Sequence, residues 1–373
     1  MTRRNWRALA LAAALMPTAA LMITTAHARP TVEVAFVLDT TGSMGPLIEG
    51  AKRKIWSIAT AIVDAHPDAQ IRMGLVAYRD IGDEYVTRKF ELTTDIQDLY
   101  ASLLELRAKG GGDWPESVNE ALDVAVNKLA WTKGNDVHRI VFLVGDAPPH
   151  MDYAQDTKYP QTLKVAQQKD ILVNAVLAGG ARDTERVWRE VAQLGGGRFI
   201  PIPQDGGEVV IIETPYDEEI IILQQKIGRT VLPYGPAPMQ RRAEDKVKQV
   251  SSVAAAAPSS ASDMASFINK RAKVSGEAVT GDGDLVSDVK SGRKSLEAIP
   301  DGDLPEEVRK LPVPQRQAKI DAQMSERKAL NEQLSTLVAK RDAFVAEKRK
   351  AAPKPVSSFD AAVETTLKAQ IKR

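Results

Sequence analysis

FVLDTTGSMGP, residues 36–46, is the stretch from which the rest of the chain is read. An apolar run ends on Asp39, and Thr40, Thr41 and Ser43 follow among glycines before Pro46. The preceding residues, VEVAFVL, are apolar and rich in β-branched side chains, the pattern of a strand covered on both faces. Pro46 suits the first turn of a helix, expected to run to about Ala65. A buried strand that ends on a carboxylate and hydroxyls is built to present oxygen at its carboxyl end.

Outward from this point the pattern repeats. IRMGLVAY reads as a second strand and YVTRKFEL as an alternating edge strand. Asp95 can cap a helix over IQDLYASLLELRAKG, ended by the glycines at 110–112. PESVNEALDVAVNKLAW places Val118, Leu122, Ala125 and Leu129 on one helical face. RIVFLVG is another buried strand, and a helix around 158–169, the strand ILVNAVLA, a helix over about 183–194 and a short strand in GGGRFIPIP complete the series. Strands alternating with helices predict an α/β fold, a doubly wound, mostly parallel sheet covered on both faces. From residue 206 the rhythm changes. Residues 206–239 read as a helical extension and 240–303 as a linker and weakly patterned region, from an Ala- and Ser-rich composition. Residues 304–373 read as charged amphipathic helices suited to docking or self-association. Their apolar stripes are Ile320, Met324, Leu334, Leu337 and Phe344, then Phe359, Val363, Leu367 and Ile371.

Bulk properties exclude several functions. A net charge of +1 argues against nucleic acid as a partner. With no cysteine in 373 residues there are no disulfides, thiol chemistry or cysteine-held zinc. MTRRNWR, an apolar stretch and AHA at 26–28 predict a signal peptide over 1–28, cleaved after Ala28. The mature chain is then periplasmic or secreted and has no membrane span; an uncleaved N-terminal anchor is the competing reading. The TRRNWR sequence matches a twin-arginine signal only loosely.

In an open α/β sheet, ligands bind beyond the carboxyl ends of the strands where the winding reverses. Asp39, Thr41 and Ser43 follow the first strand, Asp146 follows RIVFLVG, and GGGD at 110–113 can arch over the crevice between them. Carboxylates and hydroxyls without soft ligands describe a site for a divalent cation, Mg2+ ahead of Ca2+ or Mn2+. The alternatives are helix capping by Asp39, Thr41 and Ser43, and a phosphate loop, which would require a lysine that is missing here.

DTTGSM, AYRD, GGGDWPE and GDAPPH, in that order, resemble the von Willebrand factor A family and its metal-ion-dependent adhesion site, in the form found in bacterial exported members. The resemblance covers about residues 31–205. It implies a six-stranded sheet with one antiparallel edge strand, with Asp39, Thr41, Ser43, Asp113 and Asp146 around the metal. Asp113 stands where the family most often has threonine, which implies a higher intrinsic cation affinity. Asp80, Asp83 and Glu84 read as a solvated turn or as an acidic collar at the rim. Trp114 is a partner contact or a packing residue of the loop, and His150 reads as a structural or rim residue rather than a general base. TGDGDLVSD near 280 lacks the EF-hand spacing and reads as a turn.

The function so implied is a metal-dependent protein-binding module whose partner completes the cation shell with an acidic residue, without catalysis. The competing readings are a metal-dependent hydrolase or phosphotransferase, for which no nucleophile–base pair stands out, and a structural envelope protein acting through its C-terminal helices.

Overall fold

The computed structural model describes residues 30–207, 211–351 and 358–371, so the expected leader lies outside it. Its centre is one six-stranded sheet: β1 (Thr31–Asp39), β2 (Gln70–Tyr78), β3 (Thr87–Thr93), β4 (Val137–Gly145), β5 (Ile171–Ala178) and β6 (Gly196–Ile202). The order is β3-β2-β1-β4-β5-β6, with only the β2–β3 edge pair antiparallel. The chain therefore starts in the middle and winds first one way, then the other. β1 is paired on both sides, in register from Thr31 opposite Gln70 and Val137. All nine of its residues are buried, which is why, apart from Glu33 in its ion pair with Arg72, it reads as an apolar run rather than an alternation.

One face of the sheet takes Val32, Val34, Phe36 and Leu38 into a core with α1 (Gly45–Ala65) and α2 (Ile96–Glu105). The other takes Ala35 and Val37 into a core with α3 (Val118–Asp123), α4 (Tyr159–Gln168) and α5 (Arg182–Leu194). Asp95 caps α2 as its sequence position predicted, accepting from the Asp98 amide at 3.3 Å. The helix expected over 115–131 starts later and runs on from α3 into one π turn, Val124–Lys128. The delay has a cause: Glu116 is held in a backbone bridge to Pro149 and is not free to become helical. The predicted face, Val118, Leu122, Ala125 and Leu129, is buried.

The linker expected from 240 is instead helical, and this is the main correction to the sequence reading. The C-terminal region consists of α6 (Asp217–Gly228), α7 (Ala237–Ala256), α8 (Pro258–Ser275), α9 (Leu285–Lys290), α10 (Glu306–Arg309), α11 (Val313–Ala351) and α12 (Phe359–Gln370). Ala261, Met264, Ala265 and Ile268 of α8 are buried at helical spacing. The final helix folds back onto the sheet. Phe359, Val363, Leu367 and Ile371 enter the α1-side core, and the Phe359 amide donates to Gly206 O at 2.9 Å. Gln370 and Asn174 of β5 exchange amide hydrogen bonds of 2.7 and 3.0 Å. This apolar stripe is thus used inside the chain. Among the described residues no helix is long and apolar enough to cross a membrane.

Candidate functional site

The winding reverses between β1 and β4. Asp39 ends β1, and Asp146 is the first residue after β4. The Thr41 amide and hydroxyl both donate to Asp39 Oδ1, at 2.8 and 2.7 Å, and Ser43 Oγ lies 3.5 Å from Thr41 Oγ1. The other oxygen, Asp39 Oδ2, is buried without a well-formed hydrogen bond; the Tyr78 hydroxyl lies beside Asp39 but donates to Val144 O, at 3.4 Å. Burial pushes the Asp39 carboxyl up to about 7; the Thr41 hydrogen bonds oppose the shift, and the charges of Asp146 and Asp83 add to it. Asp146 Oδ2 accepts from Gln204 Nε2 at 2.6 Å.

The glycine loop closes over these groups. Gly42 donates to Gly110 O at 3.1 Å, and Lys109 to Thr40 O at 3.0 Å. Asp83 Oδ2 accepts from the Gly111 amide at 3.0 Å. At Gly111, with φ +81°, a side chain would come within 3.0 Å of Glu116 Oε1 and 3.1 Å of Thr41 Cβ. The missing Cβ is what leaves room for both the Glu116 carboxyl and Thr41 against the loop. Glu116 Oε2 is a second buried oxygen without a partner. Burial, and then the charges of Asp39, Asp80, Asp83 and Asp146, push Glu116 up to about 9.

Two buried carboxyls that hold their protons more tightly than a free carboxyl does, beside two hydroxyls and a third carboxylate, form an oxygen-only donor set. Unpartnered carboxylate oxygens of this kind are costly to bury. A hard divalent cation fits them, because it accepts several oxygens and displaces the protons. Asp39, Thr41, Ser43, Asp146 and Glu116 are the candidates to hold it, although among the described residues these three carboxyls do not bring one oxygen each within 4.8 Å of one another, so they would have to close on the ion.

Asp113 is not part of this group. Its largely exposed carboxylate faces His150 Nε2 at 3.4 Å, in a separate cluster with Asp80. Asp80 is buried rather than part of a solvated turn, and accepts from Ser117 Oγ at 2.7 Å and Tyr153 Oη at 2.8 Å. Asp83 pins the glycine loop, while Glu84 is exposed beside Arg79 and Arg88 at 3.4 and 3.6 Å. Trp114 is 48% exposed and donates from Nε1 to Asp183 Oδ2 at 2.7 Å, tying the loop to the first turn of α5. His150 is buried and stacks on Tyr153 at 3.9 Å.

Glu116 and Gln204 escaped the sequence reading. A glutamate two residues after an exposed tryptophan gives no local sign of burial, and Gln204 reaches Asp146 from the far end of β6. The signal available for Glu116 was its place between the glycine loop and a buried helix.

An open sheet whose winding reverses between β1 and β4, with carboxylates and hydroxyls at that point, defines a doubly wound α/β domain. Residues 33–202 match the family model for the von Willebrand factor A domain, and the chain carries such a domain, whose general role is protein–protein interaction. An ariadne-like RING finger protein of Acanthamoeba polyphaga mimivirus is 36% identical over 119 residues, 32% of this chain and 11% of that protein. The alpha-protein kinase vwkA of Dictyostelium discoideum is 31% identical over 121 residues, 32% of this chain and 19% of the kinase. The human von Willebrand factor A domain-containing protein 7 is 29% identical over 220 residues, 56% of this chain and 22% of that one. The matched stretches are thus 11–22% of these relatives' lengths. Among solved structures, the SpRpn10 VWA domain is similar at 12% identity and a TM-score of 0.36, over 48% of this chain and 89% of that one. The fold assignment rests on the strand order, not on that similarity.

Proposed function

We propose that this chain is an exported, metal-dependent protein-binding module. Asp39, Thr41, Ser43 and Asp146 hold a divalent cation, Mg2+ ahead of Ca2+ or Mn2+, and Glu116 contributes a further oxygen. A carboxylate of the partner protein completes the cation's shell, so binding depends on both the cation and an acidic residue. The observation that carries this reading is the pair of buried, unpartnered oxygens, Asp39 Oδ2 and Glu116 Oε2, beside two hydroxyls. Export rests on the leader-like residues 1–28.

Thermal unfolding in EDTA and in Mg2+, Ca2+ or Mn2+ tests the proposal. At about one hundred times its dissociation constant an ion adds about 2.7 kcal/mol, which moves the midpoint by several degrees. Asp39→Asn removes that shift. An equal shift in the variant, or none in the wild type, ends the reading. Turnover of generic phosphate or peptide substrates with Mn2+, abolished by Asp39→Asn, would favour a hydrolase or phosphotransferase instead.

A further inference from the structure

Beside the Asp39 cluster lies a second group of a different chemical kind. Asp80, Asp113 and His150 bring two carboxylate oxygens and one imidazole nitrogen within 4.8 Å of one another. His150 is only 5% exposed, and its Nε2 has no hydrogen-bond partner. That nitrogen is aimed between the carboxylates, 3.5 Å from Asp80 Oδ2 and 3.4 Å from Asp113 Oδ2.

The chain fixes this imidazole from several sides. Its Nδ1 lies 2.8 Å from Asp152 Oδ1. An ionised carboxylate can only accept, so Nδ1 carries the hydrogen and Nε2 is the ring nitrogen that faces inward. Tyr153 stacks flat on the ring, 9° from parallel. The backbone is held by His150 N donating to Glu116 O at 3.1 Å and by Asn119 Nδ2 donating to His150 O at 2.7 Å. Asp80 is oriented by the hydroxyls of Ser117 and Tyr153. A histidine donating its outer N–H to a carboxylate, beside a carboxylate held by hydroxyls, is the arrangement that supports a metal ligand set from behind.

We infer that Asp80, Asp113 and His150 form a second metal site, selective for a first-row transition dication such as Zn2+ rather than Mg2+ or Ca2+. Imidazole nitrogen favours the transition metals, whereas the Asp39 cluster offers oxygen alone. The separations fit. Two ligand atoms each about 2.1 Å from one ion subtend a tetrahedral angle when they are about 3.4 Å apart. Three ligands leave a fourth position, on the side where Asp113 is 60% exposed.

Co2+ is the probe, because a nitrogen–oxygen tetrahedral site gives it visible ligand-field absorption. Full-length protein stripped with EDTA is titrated with CoCl2 and then with ZnCl2. The expected result is one absorbing Co2+ per chain, displaced by Zn2+, retained in Asp39→Asn and lost in His150→Gln. Asp113→Asn, an isosteric change at a side chain that is 60% exposed, lowers Co2+ affinity at least tenfold. The inference is overturned if the wild type shows no absorption, if His150→Gln and Asp113→Asn leave it unchanged, or if Asp39→Asn alone abolishes it.

Discussion

Two of the places where the molecule buries carboxylates treat them in opposite ways. In the C-terminal region Asp284 meets Arg327 in a two-pronged pair at 2.6 and 3.2 Å. Ser287 Oγ and the amides of Leu232 and Val286 also donate to it. Arg327 also donates to the hydroxyl and carbonyl of Thr230, both at 2.8 Å, to Ser287 Oγ at 2.8 Å and to Gly276 O at 3.3 Å. At the sheet's switch point, Asp39 and Glu116 are buried just as deliberately, yet each keeps an oxygen without a partner. A carboxylate closed by the chain's own cation is part of the architecture. One left open calls for a proton or for an ion from outside. The two regions therefore differ in what disturbs them: the first responds to mutation alone, the second to cations and pH.

Arg327→Met breaks the comparison at its closed end and has the largest expected effect. Leaving Asp284 buried and unpaired costs about 3–5 kcal/mol, equally in EDTA and in Mg2+. Urea unfolding of the full chain measures it, and a loss below about 1 kcal/mol would mean that α11 contributes little to the fold.

The open end responds to pH. Asp39 and Glu116 rise from 3.8 to about 7 and from 4.5 to about 9 on folding. The folded protein holds these protons more tightly, so the stability they confer is complete below about pH 4. It is lost as pH rises, through about 7 for Asp39 and about 9 for Glu116. In EDTA the melting temperature should therefore fall between about pH 5 and about pH 9, following a loss of stability on the order of a few kcal/mol. Saturating Mg2+ should flatten or reverse that slope, because binding releases the same protons. Asp39→Asn removes the Asp39 part of the slope in EDTA, and stays within about 1 kcal/mol of wild type at its flat end because Asn still accepts from Thr41. An EDTA profile that rises with pH would show that the chain neutralises these groups itself.

The same contrast explains what was legible in the sequence. The sheet, and the meeting of Asp39 with Asp146, follow from apolar strands and from one rule about where winding reverses, so short motifs sufficed. Asp113 was assigned to the Asp39 site from its position in a motif, but the bridge between Glu116 and Pro149 leaves Asp113 facing His150 and turns Glu116 inward. No local pattern encodes that bridge. The helices α7 and α8 were hidden differently. Alanine and serine count as linker composition, yet Ala261 and Ala265 are fully buried because their size lets α8 approach its neighbours. Periodicity was present at 261, 264, 265 and 268, and composition outweighed it.

Gly111→Ala and Trp114→Phe probe the loop that roofs the open site, with smaller effects. At Gly111, positive φ and the contact with Glu116 Oε1 make alanine strained, at about 1–3 kcal/mol. The added methyl displaces Glu116 and Thr41 from the loop, so the variant should also lose part of the cation-induced shift in melting temperature. Trp114→Phe removes a single hydrogen bond to Asp183 at an exposed position and costs about 0.5 kcal/mol or slightly more. Its value lies in that small cost. The loop is held mainly by backbone bonds from Gly42 and Lys109 and by Asp83, all of which survive the change. Cation affinity by calorimetry should stay within about threefold of wild type. A larger drop would mean that the indole's tie to α5 sets the position of the roof, and that the open site depends on the far side of the sheet as well as on its own loops.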